Sequence, residues 1–375
     1  MRVILAGGGT GGHIYPAIAM AKELTKAYND VDILFIGTQD GLESRVIPLE
    51  GFSFKHIKVR GFLRKLSAKN IIAVKEILLS FFYVYKIIKD FRPDVVIGTG
   101  GYVSGSVLMT AFFMKIPTLI HEQNAYPGIT NRILSRFVDK IALTFEEASD
   151  YLVNRSRIIV TGNPLRNDIT SISNKEGKKT LGFDDKKPLL FVVGGSRGAK
   201  SINENIMPLA KECMESKKFQ ILHMTGDTQY ESVISSYEEI GIPHNKSLIK
   251  VLPYVYDMPH ALAGSDFIIS RSGAGLISEM TALGKPCILI PYPFASDNHQ
   301  EYNAKVLERH GAAIVILEKD LNSQLLLSEI KRLFNNPDII ESMSIKSKEL
   351  GKIEANKKII AAIEELIRPK KDNKH

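Results

Sequence analysis

The sequence predicts an α/β protein with two Rossmann-like, doubly wound parallel sheets, and three observations lead to that fold class. Short apolar runs alternate with helical patterns along the chain, which is typical of parallel sheets. An apolar run ending in a glycine-rich turn opens the chain at 3–12 and returns at 189–198. The length of 375 residues suffices for two domains with separate cores. We therefore expect two such domains facing a deep cleft, the usual place for a ligand.

The first half of the chain opens on the apolar run 3–6, a predicted strand, followed by the turn 7–13. The pattern over 14–24 then predicts a helix with Pro16 in its first turn. Further apolar runs predict the other strands of this half: 32–37, 94–98, 117–121, 140–144 and 157–161. Ligands of such sheets bind beyond the carboxyl ends of the strands, so the polar residues found there are the candidate site.

The second half begins after residues 167–187, which are polar, charged and weakly periodic and therefore predict a linker. The apolar run 189–193 is the next strand, and a glycine turn and a helix from about Ser201 follow it. Later strands are predicted at 220–224, 249–252, 266–270, 287–291 and 313–317. We expect a first domain, a second domain, C-terminal helices of which the last packs back on the first domain, and a loose basic tail: 1–166, 167–340, 341–368 and 369–375.

The composition is that of a soluble globular protein, with 44% hydrophobic and 24% charged residues. The formal charge of +8 suits an anionic partner, which could be nucleic acid, acidic lipid or a phosphorylated substrate. Cys213 and Cys287 lack metal-site spacing, so we expect reduced structural thiols in a cytoplasmic protein. The apolar run after Arg2 is too short for a signal peptide, and the stretch 77–85 is too short to span a bilayer.

The turn 7–13 holds five glycines and a histidine. Such a turn between a strand and a helix presents backbone N–H groups at the positive end of the helix dipole, which suits an anion, above all a phosphate. The alternative is a tight connection without a ligand. Gly7, Gly9 and Gly12 also fit the dinucleotide fingerprint, but residues 36–38 offer no acidic residue at the end of the second strand. A nicotinamide cofactor is therefore disfavoured.

A second anchor lies at 270–279, where small residues connect a strand to a helix and leave N–H groups for a diphosphate. Glu279 lies early in that helix and could accept hydrogen bonds from both hydroxyls of a ribose; the alternative is a favourable charge near a helix N-terminus. The loop 297–300 carries Asp, Asn, His and Gln and could contact a hexose, or it could be a solvated turn.

His13 is the titratable group set directly on the first glycine turn. It could act as a general base on a hydroxyl or as a cationic partner for a phosphate; the alternative is a helix N-cap without chemistry. His121 is interpreted as a buried strand-end histidine in preference to a catalytic one. The Asp-x-Asp pair, Asp30 and Asp32, precedes its strand and lies opposite the expected site, so no metal is expected.

Seven stretches, in this order and spacing, resemble the MurG family: 8–13, 100–105, 121–124, 162–166, 194–196, 271–279 and 297–304. The resemblance covers nearly the whole chain. It implies a GT-B fold without a cofactor and an inverting, metal-independent transfer of GlcNAc. The donor would be UDP-GlcNAc, the acceptor would be the C4 hydroxyl of the muramyl sugar of lipid I, and the product would be lipid II of peptidoglycan synthesis. Nucleic acid is then not a partner.

The resemblance also implies roles for particular residues. His13 would be the base or would position the acceptor phosphate, and Glu122 is the second candidate for the base. The donor contacts would be Thr10, Gly11, Gly12, Asn124, Arg166, Ser196, Val255, Ala274, Gly275, Leu276, Ile277, Ser278, Glu279 and Gln300. The acceptor diphosphate would be held by Gly9, Gly100, Gly101, Tyr102 and Ser104. Arg197 departs from the Gln that family members often carry there.

The lipid acceptor implies a peripheral enzyme on the cytoplasmic face of the cell membrane, next to an anionic surface. Apolar and cationic residues mix in one stretch, as in an interfacial element: Leu63, Arg64, Lys65, Leu66, Lys69 and Phe82. The alternative is an ordinary core helix with a basic loop. Two other functions remain open, a non-catalytic nucleotide-sugar binding protein and a GT-B enzyme with another acceptor.

Overall fold

The computed structural model describes residues 1–59, 68–166, 169–245 and 248–368, with the backbone alone at 68–75, 77 and 78. The chain divides into two compact units, one made of Met1–Leu165 and Glu354–His375 and the other of Arg166–Ile353. Each unit is built around one parallel sheet.

The first unit contains seven described strands, and every neighbouring pair is parallel. They are β1 (Arg2–Gly7), β2 (Asp32–Gly37), β3 (Ser53–His56), β4 (Val95–Gly100), β5 (Thr118–Glu122), β6 (Lys140–Leu143) and β7 (Ile158–Val160). Their order in the sheet is β3-β2-β1-β4-β5-β6-β7. The order reverses between β1 and β4, which is the topological switch point where ligands of such sheets bind.

The helices of this unit cover both faces of the sheet. They are α1 (Gly11–Ala27), α2 (Glu43–Leu49), α3 (Ala68–Phe91), α4 (Gly101–Phe113) and α5 (Ile129–Leu134), with short 3-10 turns at Glu146–Tyr151 and Arg155–Arg157. Alternate residues of β1 point to opposite faces, so Ile4 joins one buried cluster and Val3 joins the other. A parallel strand covered on both sides is apolar throughout, which is why 3–6 reads as a continuous run.

The second unit contains six described strands, again all parallel. They are β8 (Leu189–Val193), β9 (Gln220–Met224), β10 (Ile249–Leu252), β11 (Phe267–Ser270), β12 (Cys287–Leu289) and β13 (Ala313–Val315). The order is β10-β9-β8-β11-β12-β13, so the switch point lies between β8 and β11.

The remaining helices follow in chain order. They are α6 (Asn174–Thr180), α7 (Lys200–Asn205), α8 (Met207–Ser216), α9 (Tyr230–Glu239), α10 (Met258–Gly264), α11 (Ala274–Ala282), α12 (His299–Arg309), α13 (Ser323–Phe334), α14 (Pro337–Leu350) and α15 (Ala355–Ile367). Helix α14 belongs to the second unit and α15 to the first. Ile359, Ala362 and Ile363 of α15 are buried in the same cluster as Val3 of β1.

Three expectations about the elements were wrong. Helix α1 begins at Gly11, so Pro16 lies in its second turn and costs one intrahelical hydrogen bond. Edge strand β3 was missed because its four residues, Ser53–His56, are largely exposed and carry no apolar run.

The expected linker is the third. Its residues form α6, which packs against α10 so closely that a Cβ on Gly177 would overlap the backbone of Gly264. Lys178 of α6 is buried, and its Nζ lies 2.7 Å from Oδ2 of Asp266. The polar composition of residues 167–187 therefore gave no indication that this segment contains a packed helix.

No described helix is long and apolar enough to cross a membrane. Among the described residues, no group of three or more His, Cys, Asp or Glu side chains is placed to hold a metal ion.

Candidate functional site

The first glycine turn connects β1 to α1 at the switch point of the first sheet. Gly9 and Thr10 are exposed, and Thr10 is the N-cap residue, whose side chain makes no capping hydrogen bond. No acidic residue stands in the first turn of α1. The positive end of this helix is therefore not compensated by side chains of that turn, which favours an anion.

The second glycine turn connects β4 to α4 and lies directly against the first. Gly100 has φ 116° and Gly101 has φ 83°, conformations that favour glycine. A Cβ on Gly100 would lie 2.8 Å from Cδ2 of His13, and a Cβ on Gly101 would lie 2.6 Å from the Gly8 carbonyl oxygen. Only glycine permits this approach, so the structure brings the two turns and His13 together.

Two predicted acceptor residues follow this turn in different surroundings. Ser104 is fully buried; its hydroxyl accepts from the Gly100 N–H at 3.1 Å and lies 2.7 Å from the Ala6 carbonyl oxygen. It therefore ties β4 to β1 behind the turn. Tyr102 is 47% exposed and lies in the first turn of α4.

His13 is held by a hydrogen bond that fixes its tautomer. Its Nδ1 lies 3.0 Å from the Gly8 carbonyl oxygen, which can only accept, so Nδ1 carries the proton. In the neutral ring Nε2 is then the basic nitrogen, and it lies 2.9 Å from the position that a Cβ on Gly100 would take. Burial of the ring lowers the pKa of His13 below 6.5, while the Gly8 hydrogen bond and the charge of Glu43 act in the opposite direction. The N-cap of α1 is Thr10, so His13 does not cap the helix.

Glu43 is a residue of this site that the sequence analysis missed. It opens α2 and is fully buried. Oε1 accepts hydrogen bonds from the N–H and the hydroxyl of Thr38, at 3.0 and 2.7 Å. Oε2 accepts from the Gly9 N–H at 3.2 Å, so one amide of the first glycine turn is already engaged. The available signal was a carboxylate two residues after Gly41, beyond the strand end where an acid was sought.

Glu122 and Asn124 form the loop after β5. The buried Glu122 carboxylate accepts from the backbone N–H of Asn124 at 2.9 Å, from the Gly128 N–H at 3.1 Å and from Nδ2 of Asn131 at 2.8 Å. Burial raises the pKa of Glu122, and these hydrogen bonds oppose that rise. Both oxygens are engaged in organising the loop. His121 is buried as expected, with a pKa lowered to about 4 by burial.

The glycine turn of the second unit connects β8 to α7. Gly198 has φ 75°, and a Cβ there would overlap the Thr225 carbonyl oxygen. The turn therefore packs directly against the residue that follows β9. Ser196 and Arg197 are both exposed at its tip. Ser196, a predicted donor contact, and Arg197, the departure from the family pattern, are therefore both accessible at adjacent positions.

Helix α11 starts on the other side of the switch point, after β11. Its N-cap is Gly273, without a side-chain capping bond, and its first turn holds no acidic residue. Gly275 is exposed, so the backbone amides of this turn can be approached by a ligand. Arg271 joins this turn to the residues that follow β12, because its Nη1 donates to the carbonyl oxygens of Ile290 and Pro291, each at 3.1 Å.

Glu279 and Arg166 are paired. The Arg166 Nε lies 3.0 Å from Oε1 of Glu279, whose side chain is only 9% exposed, whereas that of Arg166 is 51% exposed. Burial raises the pKa of Glu279, and the Arg166 charge opposes that rise. Two predicted donor contacts thus meet in the structure.

The other predicted donor residues of the second unit differ in accessibility. The Val255 and Ile277 side chains are buried, and the Ser278 hydroxyl donates to the Ala274 carbonyl oxygen of its own helix at 2.8 Å. Ala274 is buried and Leu276 is partly exposed. The Gln300 Oε1 accepts from the Tyr292 N–H at 3.0 Å. Thr10, Gly11, Gly12 and Asn124 belong to the first unit.

Most of the predicted membrane-docking residues lie outside the description: Leu63, Arg64, Lys65 and Leu66 fall between the described ranges, and the side chain of Lys69 is not described. Phe82 of α3 is 56% exposed, with Nζ of Lys86 4.5 Å from the centre of its ring.

Two parallel sheets, each with a glycine turn and a free helix N-terminus at its switch point, define a class of protein that binds phosphorylated ligands, such as nucleotides, in Rossmann-type units. Family models narrow this class. The glycosyltransferase family 28 N-terminal domain matches residues 3–143, and the glycosyltransferase family 28 C-terminal domain matches residues 189–363.

Close relatives share nearly the whole length of the chain. A protein of Acetivibrio thermocellus is 46% identical over 370 residues, 99% of each chain, and one of Caldanaerobacter subterraneus subsp. tengcongensis is 47% identical over 96% of this chain and 98% of its own. Both are named UDP-N-acetylglucosamine–N-acetylmuramyl-(pentapeptide) pyrophosphoryl-undecaprenol N-acetylglucosamine transferase. The chain therefore belongs to the MurG family, within glycosyltransferase family 28.

Solved structures agree with this fold. The crystal structure of Acinetobacter baumannii MurG superposes with a TM-score of 0.78 at 28% identity, over 97% of this chain and 99% of that one. A UDP-GlcNAc 2-epimerase from Neisseria meningitidis, bound to UDP-GlcNAc, has a TM-score of 0.68 at 15% identity, over 97% of this chain and 100% of its own, and shows the fold alone.

Proposed function

We propose that this chain is an inverting, metal-independent N-acetylglucosaminyltransferase of peptidoglycan synthesis. It moves GlcNAc from UDP-GlcNAc to the C4 hydroxyl of the muramyl sugar of lipid I and forms lipid II. The observation that carries the proposal is the identity of 46% and 47%, over nearly the full length, to relatives whose names state this transfer. No cofactor takes part.

The second unit binds the donor. The N-terminus of α11 and the exposed turn with Ser196 offer backbone amides and a positive dipole end to the diphosphate of UDP. Glu279 accepts hydrogen bonds from the ribose hydroxyls, and Arg166, which holds this carboxylate at 3.0 Å, also faces the diphosphate as a cation. The leaving group is thereby stabilised without a metal.

The first unit binds the acceptor. The paired glycine turns, with Gly9 and Gly100 to Tyr102, hold the acceptor diphosphate near the start of α1 and α4. His13 lies between the two turns, next to Gly100. The attacking hydroxyl is placed near His13 when the diphosphate of the acceptor is anchored here.

The reaction is one displacement. The C4 oxygen of the muramyl sugar bonds to C1 of GlcNAc, its proton passes to Nε2 of His13, and the C1–O bond to UDP breaks with its electron pair on the phosphate oxygen. The configuration at C1 inverts. His13 suits the role because its Nδ1 is committed to Gly8 and its pKa is lowered, so a neutral ring presents Nε2. Glu122 suits it less, because both its oxygens already accept hydrogen bonds.

The membrane-docking surface lies on the first unit. Phe82 and Tyr83 of α3 and Phe113 of α4 are 56%, 53% and 71% exposed, and α3 is joined to α4 by the Ser80 to Ser106 hydroxyl pair at 2.8 Å. Aromatic side chains with cations nearby are typical of a peripheral contact with an anionic bilayer. The basic stretch 64–69 precedes these residues in the chain.

Vesicle binding tests this surface. Lys65→Glu with Lys69→Glu should lower the partition of the enzyme onto anionic vesicles by about 30-fold or more, because each basic residue contributes about 1 kcal/mol. The matched control, Lys200→Glu with Lys211→Glu on the second unit, makes the same charge change and should bind as the parent does. Equal binding of the test pair and the parent would place the docking face elsewhere.

Product analysis tests the function. Full-length enzyme with UDP-GlcNAc and a lipid I analogue should release one UDP for each GlcNAc joined to the acceptor, with a β linkage. Neither substrate alone should give UDP at a comparable rate. Binding of UDP-GlcNAc without transfer would make the chain a binding protein, and UDP release without acceptor would indicate another reaction.

A further inference from the structure

The proposed reaction gives the Glu43 carboxylate no role, although several segments of the first unit pack closely against it. It is fully buried next to the carboxyl ends of β1 and β2. Gly8, Gly37 and Gly41 all approach it so closely that a Cβ on any of them would overlap the Glu43 side chain. Three glycines from three segments thus leave the space that this one carboxylate fills.

The hydrogen bonds of Glu43 join two parts of the site. Oε1 holds Thr38, at the carboxyl end of β2, through its N–H and hydroxyl at 3.0 and 2.7 Å. Oε2 holds the Gly9 N–H at 3.2 Å. The first glycine turn is therefore fastened to the neighbouring strand end by a charged group, and hydrogen bonds to charged groups are the stronger kind.

The same turn holds His13, because the Gly8 carbonyl accepts from its Nδ1 at 3.0 Å. The elements packed against the imidazole present the Thr10 hydroxyl, the Gly8 carbonyl and the Gly100 backbone. Among the described ionisable groups, Glu43 is the one whose charge acts on the pKa of His13, and it raises that pKa against the effect of burial.

We infer that Glu43 is a positioning residue for the reaction: it fastens the first glycine turn at Gly9 and holds the imidazole of His13 where the acceptor proton is taken. The inference rests on the proposed function only in giving His13 the role of base. When His13 takes the proton, the neighbouring carboxylate also stabilises the imidazolium, as carboxylates paired with catalytic histidines do.

The test combines a titration with kinetics on the full chain. The pKa of His13 is followed by NMR of the imidazole, without substrates, in the parent, in Glu43→Gln and in the matched control Glu50→Gln. Glu50 lies at the other end of α2 and pairs with Lys22 at the surface. Glu43→Gln should lower the pKa of His13 measurably, whereas Glu50→Gln should leave it unchanged.

In the same variants, Glu43→Gln should lower kcat about tenfold or more while the KM for UDP-GlcNAc stays within about twofold, because a displaced base slows the chemical step only. If Glu43→Gln does not fold, Glu43→Asp serves instead. It keeps the charge but is one methylene too short to reach Gly9, so kcat should fall while the pKa of His13 stays near that of the parent.

Two results would overturn the inference: an unchanged pKa of His13 in folded Glu43→Gln, or a parental kcat in Glu43→Asp. Failure of the proposed base looks different. In that case His13→Ala keeps its kcat, while the titration of His13 in Glu43→Gln still shows whether the carboxylate acts on the imidazole.

Discussion

Among single residues, Arg166 and Glu279 form an ion pair whose proposed role in donor binding can be measured by substitution. Glu279→Ala removes the carboxylate that is proposed to accept hydrogen bonds from the ribose hydroxyls. Since such hydrogen bonds contribute about 1.5–3 kcal/mol each, the loss of even one should raise the KM for UDP-GlcNAc by at least about 10-fold, with a smaller change in kcat. Glu212→Ala is the matched control, because it removes the carboxylate of another ion pair of the second unit, with Lys331. An unchanged donor KM in Glu279→Ala would remove the residue from the site.

The same pair predicts a pH dependence. Burial raises the pKa of Glu279 and the Arg166 charge holds it down, so Arg166→Ala should let it rise further. A protonated Glu279 loses an acceptor, and donor binding by the variant should therefore weaken more than that of the parent as the pH falls from 8 to about 5.5. Calorimetric titration with UDP-GlcNAc measures this slope. Arg332→Ala, which removes an exposed cation paired with Glu329, should keep the parental slope. Equal slopes in Arg166→Ala and the parent would contradict the coupling.

Sequence reasoning reached the glycine turns because strand, glycine and helix follow one another directly along the chain. It did not predict the role of Glu43. That carboxylate accepts hydrogen bonds from Thr38, five residues earlier, and from Gly9, which is distant in the sequence. It also did not show that the Ser104 hydroxyl joins β1 to β4. The contact of Ser104 with the acceptor diphosphate stays a prediction. The direction in which a side chain points depends on packing that a one-dimensional pattern does not contain.

At the scale of elements, β9, α7 and α9 meet in a buried polar network. His223 Nδ1 lies 3.2 Å from the Tyr237 hydroxyl, and its Nε2 lies 3.1 Å from Oδ1 of Asn203. Asn203 in turn donates to the Thr225 carbonyl oxygen at 3.0 Å, next to the glycine turn of the second unit. Burial lowers the pKa of His223 to about 3, so the ring is neutral in the folded chain.

This network predicts loss of stability in acid. The folded pKa of His223, about 3, lies below the value of 6.5 expected when unfolded, so the unfolded chain binds the proton first. The free energy of unfolding should therefore fall as the pH drops below about 6.5, and should go on falling towards pH 3. Thermal unfolding of the parent should lose more degrees between pH 7.5 and pH 5 than that of His223→Gln, which cannot titrate. Equal losses of melting temperature in the parent and His223→Gln would contradict the role of His223 in the loss of stability in acid.

The prediction of elements failed for α6, because the polar composition of this segment does not indicate that it packs. Helix α6 was taken for a linker, although Ser173 and Glu176 have the spacing of a capping box, and the Ser173 hydroxyl does accept from the Glu176 N–H at 3.2 Å. Its contact surface is a glycine, Gly177, against Gly264 rather than an apolar stripe. Hydrophobic periodicity cannot detect a helix that packs through glycine and a buried lysine.

At the scale of the whole molecule, alternation of strands and helices was enough to predict two parallel α/β units. It could not predict the order of strands within each sheet, and that order is what places the switch points at β1 and β4 and at β8 and β11. The residue types at the strand ends nevertheless marked these edges in advance, because glycine turns and polar loops do not occur inside buried parallel strands.

A chelator should leave the reaction rate of the enzyme unchanged. Helix N-termini, backbone amides and Arg166 are proposed to carry the charge of the leaving UDP, so no divalent ion is needed. Initial rates are measured with and without EDTA, and after addition of Mg²⁺ or Mn²⁺. Loss of activity in EDTA that a divalent ion restores would contradict the metal-independent mechanism.

GlcNAc transfer by this chain is proposed to use His13, on the first glycine turn, as the base for the acceptor hydroxyl. The most direct measurement is of initial rates for the parent and His13→Ala, with UDP-GlcNAc varied at a saturating lipid I analogue. His56→Ala, at an exposed histidine of the same unit, is the control. We expect kcat of His13→Ala to fall about 10²-fold to 10⁴-fold while the donor KM changes little, and His56→Ala to behave as the parent does. A folded His13→Ala enzyme with near-parental kcat would contradict it.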